Sequence, residues 1–134
     1  MKAADTSVVV AAFASWHESH ERSRRALDGG MRLIEHCALE TYSVLTRLPS
    51  PHRVAGELVR DFLAVRFPEP FLRLSPAAYR DFVLGLPDHS VVGSAAYDAL
   101  VAATATENGA ELISCDRRAL AVYERYGVRA QLLA

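Results

Sequence analysis

Lysine is almost missing from this chain. Lys2 is the only one, so the 15 basic side chains are otherwise all arginines. Arginine forks onto phosphate or carboxylate with two parallel hydrogen bonds and is weakly hydrated, which suits it to phosphate contacts. Cysteine is scarce as well. Cys37 and Cys115 form no CxxC pair, and His36 beside Cys37 lacks two further spaced ligands, so a structural zinc site is excluded. Both thiols sit in apolar, strand-like contexts and read as small buried side chains in a reducing cytoplasm. No apolar run approaches the roughly 18 residues of a membrane helix. The seven-residue run VVVAAFA after Met1-Lys2 imitates a secretion signal, but Asp5 interrupts the approach to it and it reads as a helix. Repeats, low-complexity tracts and a glycine-rich first turn are all missing, which excludes a solenoid and a dinucleotide-binding module.

What is present is an ordinary globular composition: 134 residues, 51% hydrophobic, 23% charged, net charge -1. One domain spanning 1–134 is expected. Strand signals alternate with helix signals. A short strand-like run from Lys2 ends in the polar turn Asp5-Thr6-Ser7, followed by a helix over VVVAAFA capped by Thr6 or Ser7. A second helix fits His17 to Leu27. Arg32 to Cys37 reads as a strand, and ALETYSVLTRL as the helix after it, with Glu40 in its first turn. Further helices fit His52 to Val65 and Ser75-Pro76 to Leu86, separated by a weak strand at Phe71 to Leu74. A loop, Pro87 to Ser90, precedes the SAAYDALVAATATENGA helix. Glu111 to Ser114 is a strand, Arg117 to Tyr126 a helix ended by Gly127, and Val128 to Leu132 a last strand. Such alternation predicts an α/β fold with a central, mostly parallel sheet of four to five short strands flanked by helices.

In open parallel sheets, ligands bind beyond the carboxyl ends of the strands. Asp5 follows the first strand, Glu40 the second, and Asp116 the strand ELISC. Asp98 lies on the helix leading into that last strand. It is a lone charge among apolar neighbours, and a helix cannot bury a carboxylate without a partner or a cation. Each of the other three acids has a bland explanation as a helix cap or first-turn charge; Asp98 has none. Four gathered carboxylates repel one another, and a hard divalent cation relieves that repulsion. Such an ion activates water and neutralises charge on a phosphodiester, so the expected chemistry is metal-assisted phosphodiester hydrolysis.

The ordered set Asp5-Thr6-Ser7, Glu40 within ALETYSVLTRL, Tyr97-Asp98-Ala99, Ser114-Cys115-Asp116-Arg117-Arg118-Ala119-Leu120 and the tail Tyr126-Gly127-Val128 resembles the PIN-domain ribonucleases, of the VapC-like toxin type. The resemblance covers essentially the whole chain. It implies that Asp5, Glu40, Asp98 and Asp116 bind Mg²⁺ or Mn²⁺ and carry catalysis. Thr6 or Ser7 and Ser114 would steady those carboxylates. It further implies RNA cleavage, with tRNA or rRNA as substrates, a homodimer, no membrane association, and inhibition by a cognate antitoxin that threads a peptide with a basic side chain into the site. Ser114 stands where the family more often has threonine. Strand alternation is expected to point Cys115 away from the acids.

Setting the four acids aside leaves 12 acidic against 15 basic residues. Arg22, Arg24 and Arg25 on the second helix, and Arg117 and Arg118 beside Asp116, are the candidate phosphate contacts. In Trp16-His17-Glu18-Ser19-His20 two histidines three apart lack a third metal ligand; the segment reads as an exposed helix start with Trp16 or His20 free to stack on a base or a partner. Two other readings stay within the fold: a housekeeping RNA-processing nuclease and a catalytically silent interaction module. A receiver-type phosphoacceptor needs an acidic pair and a late lysine, and a haloacid-dehalogenase phosphatase needs an aspartate at Ser7; the chain supplies neither.

Overall fold

The computed structural model describes residues 1–133. Four strands form one parallel sheet in the order β2-β1-β3-β4: β1 Lys2–Ala4, β2 Arg32–Leu33, β3 Glu111–Ser114 and β4 Ala130–Leu132. Parallel strands require crossover connections, and seven helices supply them: α1 Thr6–Phe13, α2 His20–Asp28, α3 Glu35–Thr46, α4 Gly56–Arg66, α5 Pro76–Gly85, α6 Ala95–Glu107 and α7 Arg117–Arg125. The expected α/β architecture with a parallel sheet is therefore present, with four strands. Among the described residues no helix is long and apolar enough to cross a membrane.

The central strands are the covered ones. Ala3 and Ala4 of β1 and Leu112 and Ile113 of β3 are buried, and they pair directly with one another. Small side chains let the helices come close: Ala11 and Ala12 on α1 and Ala102 and Ala105 on α6 are buried. Gly109 (φ +66°) and Gly127 (φ +67°) take the left-handed backbone that turns the chain out of α6 and α7, as Asn108-Gly109 and Gly127 led us to expect.

Several boundaries differ from the sequence reading. The strand predicted over Arg32 to Cys37 stops at Leu33, and α3 begins at Glu35. Between them Ile34 forms a parallel bridge with Leu72, whose N–H donates to the Leu33 carbonyl and whose carbonyl accepts from the Glu35 N–H. The weak strand predicted at Phe71 to Leu74 is reduced to that one bridge. Glu40 consequently lies in the second turn of α3, not the first, and Cys37 is a helical residue. Helix α2 starts at His20 rather than His17, and α4 at Gly56 rather than His52. The Pro87 to Ser90 loop is largely a 3-10 turn, Leu86–His89. Helix α1 is capped by Asp5, whose side chain accepts from the Val8 N–H, rather than by Thr6 or Ser7.

This arrangement positions the acids. A helix that returns the chain to a parallel strand runs against it, so the first turn of α6, with Asp98, sits at the carboxyl edge of the sheet where β1 and β3 deliver Asp5 and Asp116. Leu112, at the centre of β3 between β1 and β4, anchors that edge. Leu112→Ala should cost about 2–5 kcal/mol, read as a lowered urea midpoint with an unchanged slope.

Candidate active site

The carboxyl edge of the sheet opens into a cavity of about 470 Å³ lined by Asp5, Glu40, Asp98 and Asp116 together with Thr6, Ser7 and Cys115. The four acids come from four separate segments, and each stands in a different environment.

Asp5 is the buried one, 4% exposed. Its Oδ1 accepts from the Ser7 hydroxyl and from the Val8 N–H at 3.3 Å; its Oδ2 accepts from the Tyr123 hydroxyl at 2.9 Å. Burial raises its pKa from the ordinary aspartate value, against the opposing pull of these donors and of Ser114. Burial and the Asp5 charge also push the Tyr123 phenol far up, so it stays a donor. Ser7 links Asp5 to the end of β3. Its Oγ accepts from the Cys115 N–H at 2.8 Å and lies 3.4 Å from the Ser114 Oγ. Ser7 has one proton, and it goes to Asp5. Ser114 Oγ in turn accepts from the Asp116 N–H at 2.9 Å.

Asp116 is exposed and caps α7, its Oδ1 accepting from the Arg118 N–H at 2.9 Å. Glu40 is held below the usual glutamate value, chiefly by His36, whose Nε2 is 3.8 Å from Oε2, and further by Thr6 and Arg47, with burial opposing. Asp98 has no such help. Among the described residues it accepts no side-chain hydrogen bond and pairs with no cation. Its pKa is raised by burial first and then by the charges of Asp116, Glu40 and Asp5, with His36 alone opposing.

The donor set at this cavity is hard oxygen. The uncompensated Asp98 carboxylate, gathered with three others at one cavity, fits a hard divalent cation. Among the described residues no three acid, histidine or cysteine side chains close into a ready-made cage.

Cys115 lines the cavity; its N–H donates to Ser7, and its thiol lies 3.5 Å from the Ser23 hydroxyl of α2. His20 is not free to stack, since its Nδ1 contacts the Ala11 carbonyl at 2.9 Å and ties α2 to α1. Arg24 lies beside Glu21. Among the described residues Arg22, Arg25, Arg117 and Arg118 form no ion pair, and Arg22 stands close enough to Cys115 to act on its thiol. Tyr123, His36 and Arg47 were not anticipated.

A model of the PIN domain matches residues 3–125. The chain belongs to the PIN-domain family. It is VapC-like: it is 50% identical to Ribonuclease VapC40 of Mycobacterium tuberculosis, over 99% of each chain, in both the CDC 1551 and the H37Rv strains. It is 38% identical to Ribonuclease VapC27 of strain H37Rv, over 98% of this chain and 96% of that one. Among solved structures, FitAcB from Neisseria gonorrhoeae superposes with a TM-score of 0.69 at 18% identity, over 97% of this chain and 96% of that one, and so shares the fold.

The raised Asp98 pKa carries a stability consequence. The folded chain binds this proton more tightly than the unfolded chain, so stability falls as pH rises from the ordinary aspartate value of 3.8 through the folded value. In chelator at pH 7, Asp98→Asn should therefore melt at a higher temperature than wild type. The gain should fade below pH 3.8; equal melting temperatures at pH 7 would remove carboxylate repulsion as the cause.

Proposed function

We propose that this chain is a divalent-metal-dependent endoribonuclease, the toxin of a toxin–antitoxin pair, and that Asp5, Glu40, Asp98 and Asp116 are its catalytic, metal-binding residues. The observation that carries the reading is the convergence of four carboxylates from four segments on one cavity, with Asp98 left uncompensated. The whole-length similarity to two named VapC ribonucleases supports it.

In this reading the acids hold Mg²⁺ or Mn²⁺, which supplies an activated water and neutralises charge on the phosphodiester. The protein's own contribution is placement. Tyr123, Ser7 and the Val8 N–H fix both oxygens of Asp5. Ser114, through the Asp116 N–H and the Ser7 hydroxyl, sets the β3 end against α1. His36 holds Glu40 ionised. Arg22, Arg117 and Arg118 take RNA phosphates, with Arg25 further out on α2. The partners are an RNA substrate, with tRNA and rRNA the first to test, a cognate antitoxin that places a basic side chain among the acids, and a second copy of the chain.

Two measurements test this. With Mg²⁺ or Mn²⁺ the purified chain should cut a panel containing tRNA and rRNA, and chelator should stop it. Asp98→Asn and Asp5→Asn should each lose more than about 100-fold, since losing even a group behind a metal ligand costs ~10–100-fold. Undiminished cutting by Asp98→Asn would falsify the site. Separately, Arg117→Ala should weaken RNA binding at every sequence and flatten the salt dependence by about 0.7 in log–log slope, one phosphate contact on single strands. An unchanged slope places Arg117 off the phosphate path.

A further inference from the structure

The donors around Asp5 limit how it can meet an ion. An ionised carboxylate offers about four lone pairs, two on each oxygen. Both lone pairs of Oδ1 are taken: the Ser7 hydroxyl donates to one and the Val8 N–H, at 3.3 Å, to the other. Both donors belong to the first turn of α1, so Oδ1 is turned into the helix start that Asp5 caps. Ser7 is itself pinned, because its Oγ accepts from the Cys115 N–H at 2.8 Å. Oδ2 accepts from the Tyr123 hydroxyl at 2.9 Å and keeps its second lone pair for a ligand. The Ser114 hydroxyl also stands near Asp5. It is a rotor 3.4 Å from the Ser7 Oγ, onto which its proton turns when Oδ2 is needed elsewhere. The restriction belongs to Asp5. Asp116 takes one donor, the Arg118 N–H on Oδ1 at 2.9 Å, and among the described residues Asp98 takes no side-chain donor.

One open lone pair means ligation through one oxygen, and hard ions differ in how well they accept that. Mg²⁺ demands a tight, near-octahedral shell at about 2.0–2.1 Å. Ca²⁺ takes about six to eight oxygens at longer range, and carboxylates that grip with both oxygens help to fill that shell. We propose that Ser7 is a positioning residue that sets ion selectivity: with the Val8 N–H it closes Oδ1, confines Asp5 to ligation through Oδ2, and so favours a small six-coordinate ion over Ca²⁺. Tyr123 has the complementary role of aiming the open lone pair. This rests on the nuclease reading, in which Asp5 holds Mg²⁺ or Mn²⁺, and it adds the class of ion that the site turns away.

Ion binding can be read without any cleavage, as loss of the free Mn²⁺ signal in electron paramagnetic resonance, with Mg²⁺ and Ca²⁺ as competitors. The wild-type chain should bind Mn²⁺ and give it up to Mg²⁺ at least as readily as to Ca²⁺. Ser7→Ala opens a lone pair on Oδ1 and should raise affinity for Ca²⁺ relative to Mg²⁺ roughly 10-fold, the scale on which groups behind a metal ligand act. Ser7→Thr keeps the hydroxyl and should keep the wild-type ratio. Tyr123→Phe frees only Oδ2, which is already open, so it should weaken both ions by about 10–100-fold and leave their ratio alone. Melting in chelator shows which variants are folded. An unchanged ratio in folded Ser7→Ala overturns the proposal and leaves the nuclease reading intact. An equal ratio shift in Tyr123→Phe overturns the assignment to Oδ1. If Ser7→Ala does not fold, the wild-type ratio decides, and a preference for Ca²⁺ overturns the proposal. No Mn²⁺ binding by wild type sinks the metal-dependent reading, and this inference with it.

Discussion

The buried carboxylate of Asp5 is the constraint around which the rest is arranged. Removing a charge from water without replacing its hydrogen bonds costs several kcal/mol, so the fold brings donors to it from distant parts of the chain. Ser7 and the Val8 N–H come from α1, and the Tyr123 hydroxyl comes from α7, 118 residues away. Those bonds fix where α1 and α7 stand relative to the sheet. They do not neutralise the charge. Every donor is a neutral hydroxyl or amide, so the carboxylate is held in place without a positive partner, which leaves that role open to a cation.

The remaining acids show how one fold keeps four like charges together without falling apart. Two of them, Asp5 and Asp116, double as N-caps of α1 and α7. A capping oxygen satisfies helix N–H groups that would otherwise be orphaned, and the helix N-terminus favours a negative charge there. Glu40 is steadied by His36 and, more weakly, by Thr6 and Arg47. The repulsion that is left over falls on Asp98, which the helix apolar on both sides of it cannot relieve. The strain of the cluster is therefore concentrated at one residue, and the cavity next to it is where a cation would relieve it.

Much of this was legible in the sequence because it follows from topology. Once strands alternate with helices, the carboxyl-edge rule places Asp5 and Asp116 together, and the lone charge in an apolar run singles out Asp98. What the sequence hid were contacts that depend on an exact helix phase or on a distant partner. With α3 read as starting at Ala38, His36 belongs to a strand; the start at Glu35 sets it one turn from Glu40, and the apolar run Leu33-Ile34 does not mark where strand gives way to helix. Tyr123 lies seven residues after Asp116, two turns along the buried face of α7, and so could have been placed near the site; nothing local says that its hydroxyl reaches Asp5. His20 resembled a free ring until the α1–α2 turn brought it back to the Ala11 carbonyl.

The cavity repels what it is proposed to cut. Four carboxylates oppose an RNA phosphate until a cation reverses the local sign, so affinity in the cation-free chain has to come from outside the cavity. Among the described residues Arg22, Arg117 and Arg118 form no ion pair and are the groups that could supply it. Their attraction is screened by salt and blind to base sequence. In the proposed reading, attachment of the phosphates therefore falls to these arginines and cleavage to the acids, and the sign of the cavity between them is set by whether a cation is bound.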